Sequence, residues 1–205
     1  MAPERRRAVA AVLAAGLSLG VALSPWAASA AEAFDVDALM TLLGRVRSGE
    51  ATFVETRRIE MLDRTLVSSG RLRFKAPDVF VRETLKPRHE KLAVDGNTLT
   101  MSLGERSRTM QLDASPESAV IVEAIRGTLT GNRAALERLF EARLSGDVRQ
   151  WSLELVPRDL RLRAEVASVR VSGRESMVQE VGIQLADGDH SVMTIEPIAA
   201  SRGAP

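Results

Sequence analysis

Residues 66–77 read LVSSGRLRFKAP and carry the clearest structural pattern in the chain. Within this stretch, Leu72 and Phe74 alternate with the basic side chains of Arg71 and Arg73. Because successive side chains of a β-strand point to opposite faces of the sheet, a period of two gives this strand one apolar face and one charged face. Such a strand is typical of an antiparallel sheet that packs on one side and meets water on the other.

Further short strands are predicted on both sides of this stretch. The period of two begins at Thr52, and runs of the same kind continue as far as Leu112. Short turns separate these runs, and the turn Asp95-Gly96-Asn97 is a strong signal for a tight hairpin. Six strands joined in this way predict an antiparallel meander.

Three segments have the period of a helix instead. Residues 34–49 place apolar side chains three and four positions apart, which predicts an amphipathic helix that ends at Gly49. Residues 115–127 begin with Ser-Pro, are apolar almost all round and end at a glycine, Gly127. Residues 132–140 predict one more short helix. We expect the last two helices to form an insert between two groups of strands.

About five more strands follow the insert, the last of them ending near Ile195. Some eleven strands, one N-terminal helix and a central helical insert predict a mainly β fold. An antiparallel sheet of this size curves, and its concave side must be filled. Either the helices fill it as a solid core, or they cover a cavity that holds an apolar ligand. The pattern alone favours the solid core.

The first thirty residues have the composition of a secretory signal peptide. A run of three arginines precedes an uncharged apolar stretch that is short for a membrane-spanning helix. The sequence Ala28-Ser29-Ala30 then supplies the small residues that signal peptidase requires, so we expect cleavage near Ala30 and export to the periplasm. The predicted division is a signal peptide at 1–30, an exported domain at 31–198 and a flexible tail at 199–205.

The composition argues against several kinds of chemistry. The chain has no cysteine, which rules out disulfides, thiol nucleophiles and metal centres with cysteine ligands. It has 28 basic and 27 acidic side chains and only 3% aromatic residues. This gives neither the excess positive charge nor the stacking surface that nucleic-acid binding requires, so we expect no nucleic-acid partner.

Candidate catalytic residues are few. The two histidines are His89, in a predicted loop, and His190, in the segment Asp187-Gly-Asp-His-Ser191. Neighbouring strand residues point to opposite faces, so these side chains cannot form a relay, and the segment is typical of a hairpin turn. We expect no catalytic residue, no metal site and no cofactor. The arginines and glutamates of the first strands are interpreted as a solvated face of mixed charge.

A series of residues resembles the LolA family, the periplasmic carriers of outer-membrane lipoproteins. It begins with Phe53-Val-Glu55, continues with Gly70-Arg-Leu-Arg-Phe-Lys-Ala-Pro77 and reaches Leu92-Ala-Val-Asp-Gly-Asn-Thr-Leu99. The later half is similar in layout, with a helical insert, the segment Trp151-x-Leu-x-Leu-x-Pro157 and a last pair of strands. The resemblance covers essentially the whole chain after the predicted signal peptide.

The resemblance implies an incomplete, unclosed antiparallel β-barrel, covered by an N-terminal helix and a central helical lid, around a hydrophobic cavity. The implied function is a monomeric periplasmic carrier. It would bind lipid or the acyl chains of lipoproteins and take them from an inner-membrane transporter to an outer-membrane acceptor. The alternative is a LolA-like lipid sensor that regulates envelope stress through protein–protein contacts. The residues expected to line the cavity are apolar positions of the strands and the lid: Phe53, Leu72, Phe74, Phe80, Leu92, Leu99, Met101, Ile121 and Ile125.

The chain departs from the family pattern in three places. Carriers of the family have an arginine that latches the lid, just before the proline that ends the second strand, and here that residue is Ala76. Glu55 replaces the family's glutamine in the first strand. Arg82 occupies a position where an aromatic residue is common. These differences predict a divergent paralogue with an altered cargo or partner.

Overall fold

A meander of strands, a helical insert and a second group of strands follow one another along the chain, as the sequence predicts. The helices are α1 (Val36–Leu43), α2 (Pro116–Leu129), α3 (Arg133–Leu139) and α4 (Leu160–Arg163). The strands are β1 (Ser48–Ile59), β2 (Arg64–Lys75), β3 (Val79–Lys86), β4 (Glu90–Asp95), β5 (Thr98–Leu103), β6 (Arg106–Gln111), β7 (Phe140–Asp147), β8 (Gln150–Pro157), β9 (Val166–Arg174), β10 (Met177–Leu185) and β11 (His190–Pro197). Short 3₁₀ turns at Glu60–Leu62 and Leu112–Ala114 follow β1 and β6.

The computed structural model describes residues 34–62 and 64–198. The predicted signal peptide at 1–30 and the predicted tail at 199–205 lie outside the described residues. Within them, none of the helices combines the length and the apolar character needed to cross a bilayer.

All eleven strands belong to one antiparallel sheet, with β1 at its centre. β1 pairs with β2 on one side and with β11 on the other. From there the meander β2 to β6 runs to one edge, and the second group runs from β11 back to β7 at the opposite edge. Within the part of the chain that the structure describes, β6 and β7 do not pair, so the sheet is not closed. The predicted mainly β fold, an incomplete antiparallel barrel of about eleven strands with helices, is confirmed.

Helices fill the concave side of the sheet over its second half. The core there is built from buried apolar residues of α1, α2 and α3 and of the strands β7 to β10. Phe140, Trp151 and Leu153 are at most 1% exposed. The solid core that the pattern favours is therefore present, but over this half of the sheet.

A second, smaller cluster lies over the first half of the sheet. Val94, Leu99 and Leu112 are buried there, and Ala119 and Val122 of α2 pack against them. Because α2 also contributes to the larger core, this helix contacts both halves of the sheet. The apolar residues on two sides of α2 follow from that position, since each side packs against a different cluster.

Helix α2 is longer than the sequence suggests. Gly127 does not end it, because the helix continues to Leu129. A Cβ atom at Gly127 would lie 2.6 Å from Cδ2 of Leu136, so this glycine allows α2 and α3 to pack closely. The chain reverses at Gly131 instead, where φ is +64°.

Helix α1 is shorter than predicted. Asp35 caps its first turn by accepting a 2.9 Å hydrogen bond from the N–H of Ala38. The helix ends at Leu43, and the N–H of Gly44 donates to the carbonyl oxygen of Met40. The predicted end at Gly49 is wrong because that residue lies in β1, where hydrogen bonding to β2 takes over from the helical period.

Candidate ligand cavity

A cavity of about 1720 Å³ lies between α2 and the first strands of the sheet. Pockets for drug-sized ligands are typically about 300–1,000 Å³, so this cavity suits a larger molecule. On β1 its wall runs from Ser48 to Arg57. At about 3.3 Å per residue, that stretch of strand is roughly 30 Å long. The cavity is therefore long as well as large.

Eight of the nine residues predicted to line a cavity border this one: Leu72, Phe74, Phe80, Leu92, Leu99, Met101, Ile121 and Ile125. The sheet register brings the strand residues side by side, since Phe74 pairs with Phe80, which pairs with Val94, which pairs with Leu99. The rings of Phe74 and Phe80 lie 5.1 Å apart. Phe74, Phe80, Val94 and Leu99 thus form an apolar row across four strands, and the role of the eight predicted residues in binding a ligand stays a prediction.

Phe53 differs from the other eight. It is 2% exposed and does not border the cavity. Its ring lies beside Gly70, where a Cβ atom would come within 2.9 Å of it, and the guanidinium of Arg82 covers it at 4.9 Å from the ring centre. Phe53 therefore belongs to the structure of the wall, beneath Arg82.

Part of the lining was not predicted from the sequence. Val181 and Ile183 of β10 and Met193 and Ile195 of β11 also border the cavity. The period of two marks the apolar face of these strands. It does not reveal that β11 pairs with β1, which places that face on the same cavity as the first strands. That pairing joins residues more than a hundred positions apart.

A family model described as outer membrane lipoprotein carrier protein LolA-like matches residues 28–203. The chain belongs to this LolA-like family. The match includes every strand and helix that borders the cavity. The resemblance noted in the sequence is thereby confirmed.

Solved structures similar to this LolA-like chain share little sequence with it. A LolA superfamily protein from Nitrosomonas europaea is 12% identical, with a TM-score of 0.45, over 78% of this chain and 91% of that protein. A DUF1329 family protein from Desulfovibrio piger is 10% identical, with a TM-score of 0.49, over 84% and 93%. An outer membrane lipoprotein-sorting protein domain from Vibrio parahaemolyticus is 8% identical, with a TM-score of 0.47, over 83% and 92%. No curated protein sequence matches the chain.

An arginine of α2 ties this helix to the sheet of this LolA-like protein. Nη2 of Arg126 donates a 2.6 Å hydrogen bond to the carbonyl oxygen of Gly96, in the turn between β4 and β5. Nη1 of the same residue donates to Oε1 of Glu123 at 2.5 Å. Ala76, at the position where the resemblance places a latch arginine, donates its backbone N–H to the carbonyl oxygen of Arg47. Among the described residues, the side-chain hydrogen bond between α2 and the turn after β4 comes from Arg126 of the helix.

A small polar group interrupts the apolar wall. Nη2 of Arg82 donates to Oε2 of Glu55 at 2.5 Å and to Oγ of Ser68 at 3.2 Å. Ser68 also donates to Oε2 of Glu55, at 3.3 Å. All three residues border the cavity, with the side chains of Glu55 and Arg82 12% and 32% exposed. The interpretation of a solvated charged face therefore fails for Glu55. It lies two residues after Phe53, so its parity points to the concave side.

The segment 187–191 forms a structural turn, as the sequence predicts. Oδ1 of Asp187 accepts a hydrogen bond from the N–H of Asp189. Asp189 in turn accepts from the N–H of Glu60 at 3.0 Å and from Nη2 of Arg57 at 3.5 Å. Asp189 is 8% exposed, and its carboxylate joins the turn before β11 to the end of β1.

The other histidine, His89, lies near Glu83. Its Nε2 is 3.1 Å from Oε1 of Glu83, and this hydrogen bond holds the pKa of the Glu83 carboxyl below its ordinary value. Neither residue borders the cavity, although the residues on either side of each do: Arg82 and Thr84, and Arg88 and Glu90. Across residues 34–62 and 64–198, no group of three or more histidine, aspartate or glutamate side chains could hold a metal ion.

Proposed function

We propose that this chain is a periplasmic carrier that binds lipid, or the acyl chains of lipoproteins, in the cavity beneath α2. The observation that carries the proposal is the size, length and apolar wall of that cavity. The hydrocarbon core of a bilayer is about 30 Å thick, so the acyl chains of one leaflet extend roughly 15 Å. The cavity wall along β1 is about twice as long as that. It has room for an extended acyl chain and for part of a second chain or its head group.

The energetics of acyl chains explain why such a cargo needs a carrier. Each CH₂ group buried from water is worth about 0.8 kcal/mol, so a palmitoyl chain with fourteen such groups gains about 11 kcal/mol in an apolar site. A free chain therefore stays in its membrane instead of crossing an aqueous compartment. A cavity that offers a comparable apolar environment removes most of this barrier.

Release of the cargo requires part of the wall to move, and α2 borders the cavity without being hydrogen-bonded into the sheet as a strand. Ile121 and Ile125 face the cavity through apolar contacts, which have no directional bonds to break. The bond from Arg126 to Gly96 is the polar tie of α2 to the meander. We infer that α2 acts as the lid, and that its displacement exposes the cargo.

The proposal includes a direction of transport. The predicted signal peptide and the family's description as outer membrane lipoprotein carriers support a periplasmic location. They also support an inner-membrane transporter as donor and an outer-membrane acceptor. The protein then acts by binding and transfer and performs no covalent chemistry.

Two measurements on the same protein test this function. The first is the displacement of a fluorescent acyl probe by a palmitoylated lipopeptide, with the unacylated peptide as control. The second is the transfer of the lipopeptide from donor vesicles to acceptor vesicles across a dialysis membrane. Saturable displacement together with protein-dependent transfer supports a carrier. Displacement without transfer favours the lipid-sensing regulator, and absence of displacement contradicts both functions.

A further inference from the structure

The polar group of Glu55, Ser68 and Arg82 loses hydration free energy where it lies in the cavity wall. In the sheet register, Arg82 pairs with Leu72 on one side and with Leu92 on the other, so the ion pair has apolar neighbours. Ion pairs in such surroundings lose much of the hydration of both charges, and their attraction often fails to compensate for that loss. Nε of Arg82 is also buried without a hydrogen-bond partner. A polar group in an otherwise apolar wall that borders a cavity can fix the orientation of a bound molecule, so it is a candidate for ligand recognition.

Arg82 keeps hydrogen-bond donors available for a ligand. Its bonds to Glu55 and Ser68 both leave from Nη2, so the described residues provide no acceptor for Nη1. The ring of Phe53 lies 4.9 Å below the guanidinium and supports its plane. With 32% of its side chain exposed at the cavity, Arg82 can donate from Nη1 to an oxygen atom of a bound molecule.

We propose that Arg82, with its charge neutralised by Glu55, binds the uncharged carbonyl group, an ester or an amide, at the head of an acyl chain in the cavity. This inference rests on the proposed function, because it concerns the head group of the same cargo. Nη1 of Arg82 donates to the carbonyl oxygen. From there the acyl chain runs along Leu72 and Phe74 toward the space beneath α2, where Ile125 borders the cavity.

Glu55 makes this site selective for an uncharged head group. Its carboxylate already neutralises Arg82, which leaves the pair without net charge. A free fatty acid would bring a second carboxylate next to Glu55, and like charges repel strongly where water is scarce. An ester or amide carbonyl accepts the same hydrogen bond without that repulsion. The cavity therefore discriminates against free fatty acids and in favour of acyl esters and amides.

The test compares three competitors that share one palmitoyl chain. Monopalmitoylglycerol presents an ester, N-palmitoylglycinamide presents an amide, and palmitate at alkaline pH presents a carboxylate. Each competes with the same fluorescent acyl probe on the full exported chain. We expect wild-type protein to bind the ester or the amide at least about tenfold more tightly than palmitate, since one unfavourable charge contact readily produces such a ratio.

Two variants separate the role of Glu55 from a general effect of charge. Glu55→Gln removes the charge but keeps an acceptor for Arg82, so we expect the preference over palmitate to fall about tenfold or to reverse. Glu154→Gln is the matched control. It removes the same charge from an ion pair with Arg170, at 3.1 Å on the outer face of β8, and should keep the wild-type ratio.

Each outcome decides the proposal. A preference for the ester indicates ester-linked acyl chains as the cargo, a preference for the amide indicates amide-linked acyl chains, and both support it. Wild-type protein that binds palmitate as tightly as the neutral competitors overturns it, as does a folded Glu55→Gln variant with the wild-type ratio. If melting curves show that this variant does not fold, the wild-type ratio alone decides. Failure of all three competitors to bind overturns the proposed function itself.

Discussion

Nη2 of Arg126, on the helix that covers the cavity, donates a 2.6 Å hydrogen bond to the carbonyl oxygen of Gly96 in the turn between β4 and β5. The side chain of Arg126 is 20% exposed, so water competes only partly for this bond. The bond connects the lid to the first half of the sheet, on the far side of α2 from the larger core. It therefore holds the lid at the point where the wall would have to open.

Arg126→Met should loosen the lid. The variant removes the charged bond to Gly96 and the bond to Glu123, so we expect the free energy of unfolding to fall by about 1–3 kcal/mol. We also expect a fluorescent acyl probe to dissociate faster. Denaturant unfolding and stopped-flow release measure the two effects. Arg143→Met, which removes an exposed arginine beside Glu141 on β7, is the control. If the Arg126→Met protein has unchanged stability and unchanged release, the bond from Arg126 to Gly96 does not hold α2 in place.

A charge on the cavity wall should prevent binding. Met101 borders the cavity and is 39% exposed, so Met101→Glu can keep its carboxylate hydrated while the protein folds. We expect the affinity for acyl probes to fall at least about tenfold, because an acyl chain cannot cover that charge without a large desolvation penalty. Thr100→Glu adds the same charge one residue earlier, on the opposite face, where Thr100 contacts Thr109. Equal affinities of the two variants would contradict the assignment of the wall.

Gly70 should be intolerant of any side chain. A Cβ atom there would lie 1.9 Å from the carbonyl oxygen of Glu83 and 2.9 Å from Cε1 of Phe53. We expect Gly70→Ala to lower the free energy of unfolding by about 1–3 kcal/mol through overpacking. Gly49→Ala is the matched control in the adjacent strand, because nothing lies within 4 Å of its added methyl group. Chemical denaturation measures the free energy of unfolding of both variants. If the two values are similar, the backbone around Gly70 shifts to accept a methyl group, and the prediction is wrong.

Asp147 should make stability depend on pH at the turn between β7 and β8. Its carboxylate accepts hydrogen bonds from the N–H groups of Arg149 and Gln150, at 2.7 and 3.2 Å, which hold its pKa below the ordinary value of 3.8. A lowered pKa in the folded state stabilises the protein above the unfolded-state pKa, and this is lost as the pH falls through the folded-state pKa. Asp147→Ala should therefore melt at a lower temperature than wild type at neutral pH. The difference in melting temperature should vanish in strong acid. If it persists there, it does not arise from the charge of the Asp147 carboxylate.

The local pattern of the sequence was sufficient to predict the individual strands and their hairpins. The alternation around Leu72 and Phe74 identifies β2, and the turn at Gly96 identifies the hairpin of β4 and β5. Both signals depend on residues close together in the chain, so no knowledge of distant contacts is required. The same holds for the apolar faces of the strands, which is why six of the seven expected lining residues on strands border the cavity.

Features that depend on distant contacts were not predictable in this way. Gly127 has the sequence signal of a helix end, but its position opposite Leu136 makes it a site of close packing inside α2. The pairing of β1 with β11 brings Met193 beside Glu55. Nothing in the sequence of either strand indicates that the two strands pair. The division of the concave side into a solid core and a cavity follows from where α2 lies, which periodicity does not encode.

The most direct test of the proposed function is the mass of the protein when it is purified from cells with its bound material. The chain is expressed in a bacterial periplasm, purified without detergent and measured by native mass spectrometry, and the bound material is extracted for identification. We predict a stoichiometric adduct that extracts as an acylated lipid or lipopeptide, and that is lost in Met101→Glu but kept in Thr100→Glu. A protein that shows only its own mass, and that gains no adduct after mixing with monopalmitoylglycerol or a palmitoylated peptide, would contradict the claim that the cavity holds acyl chains.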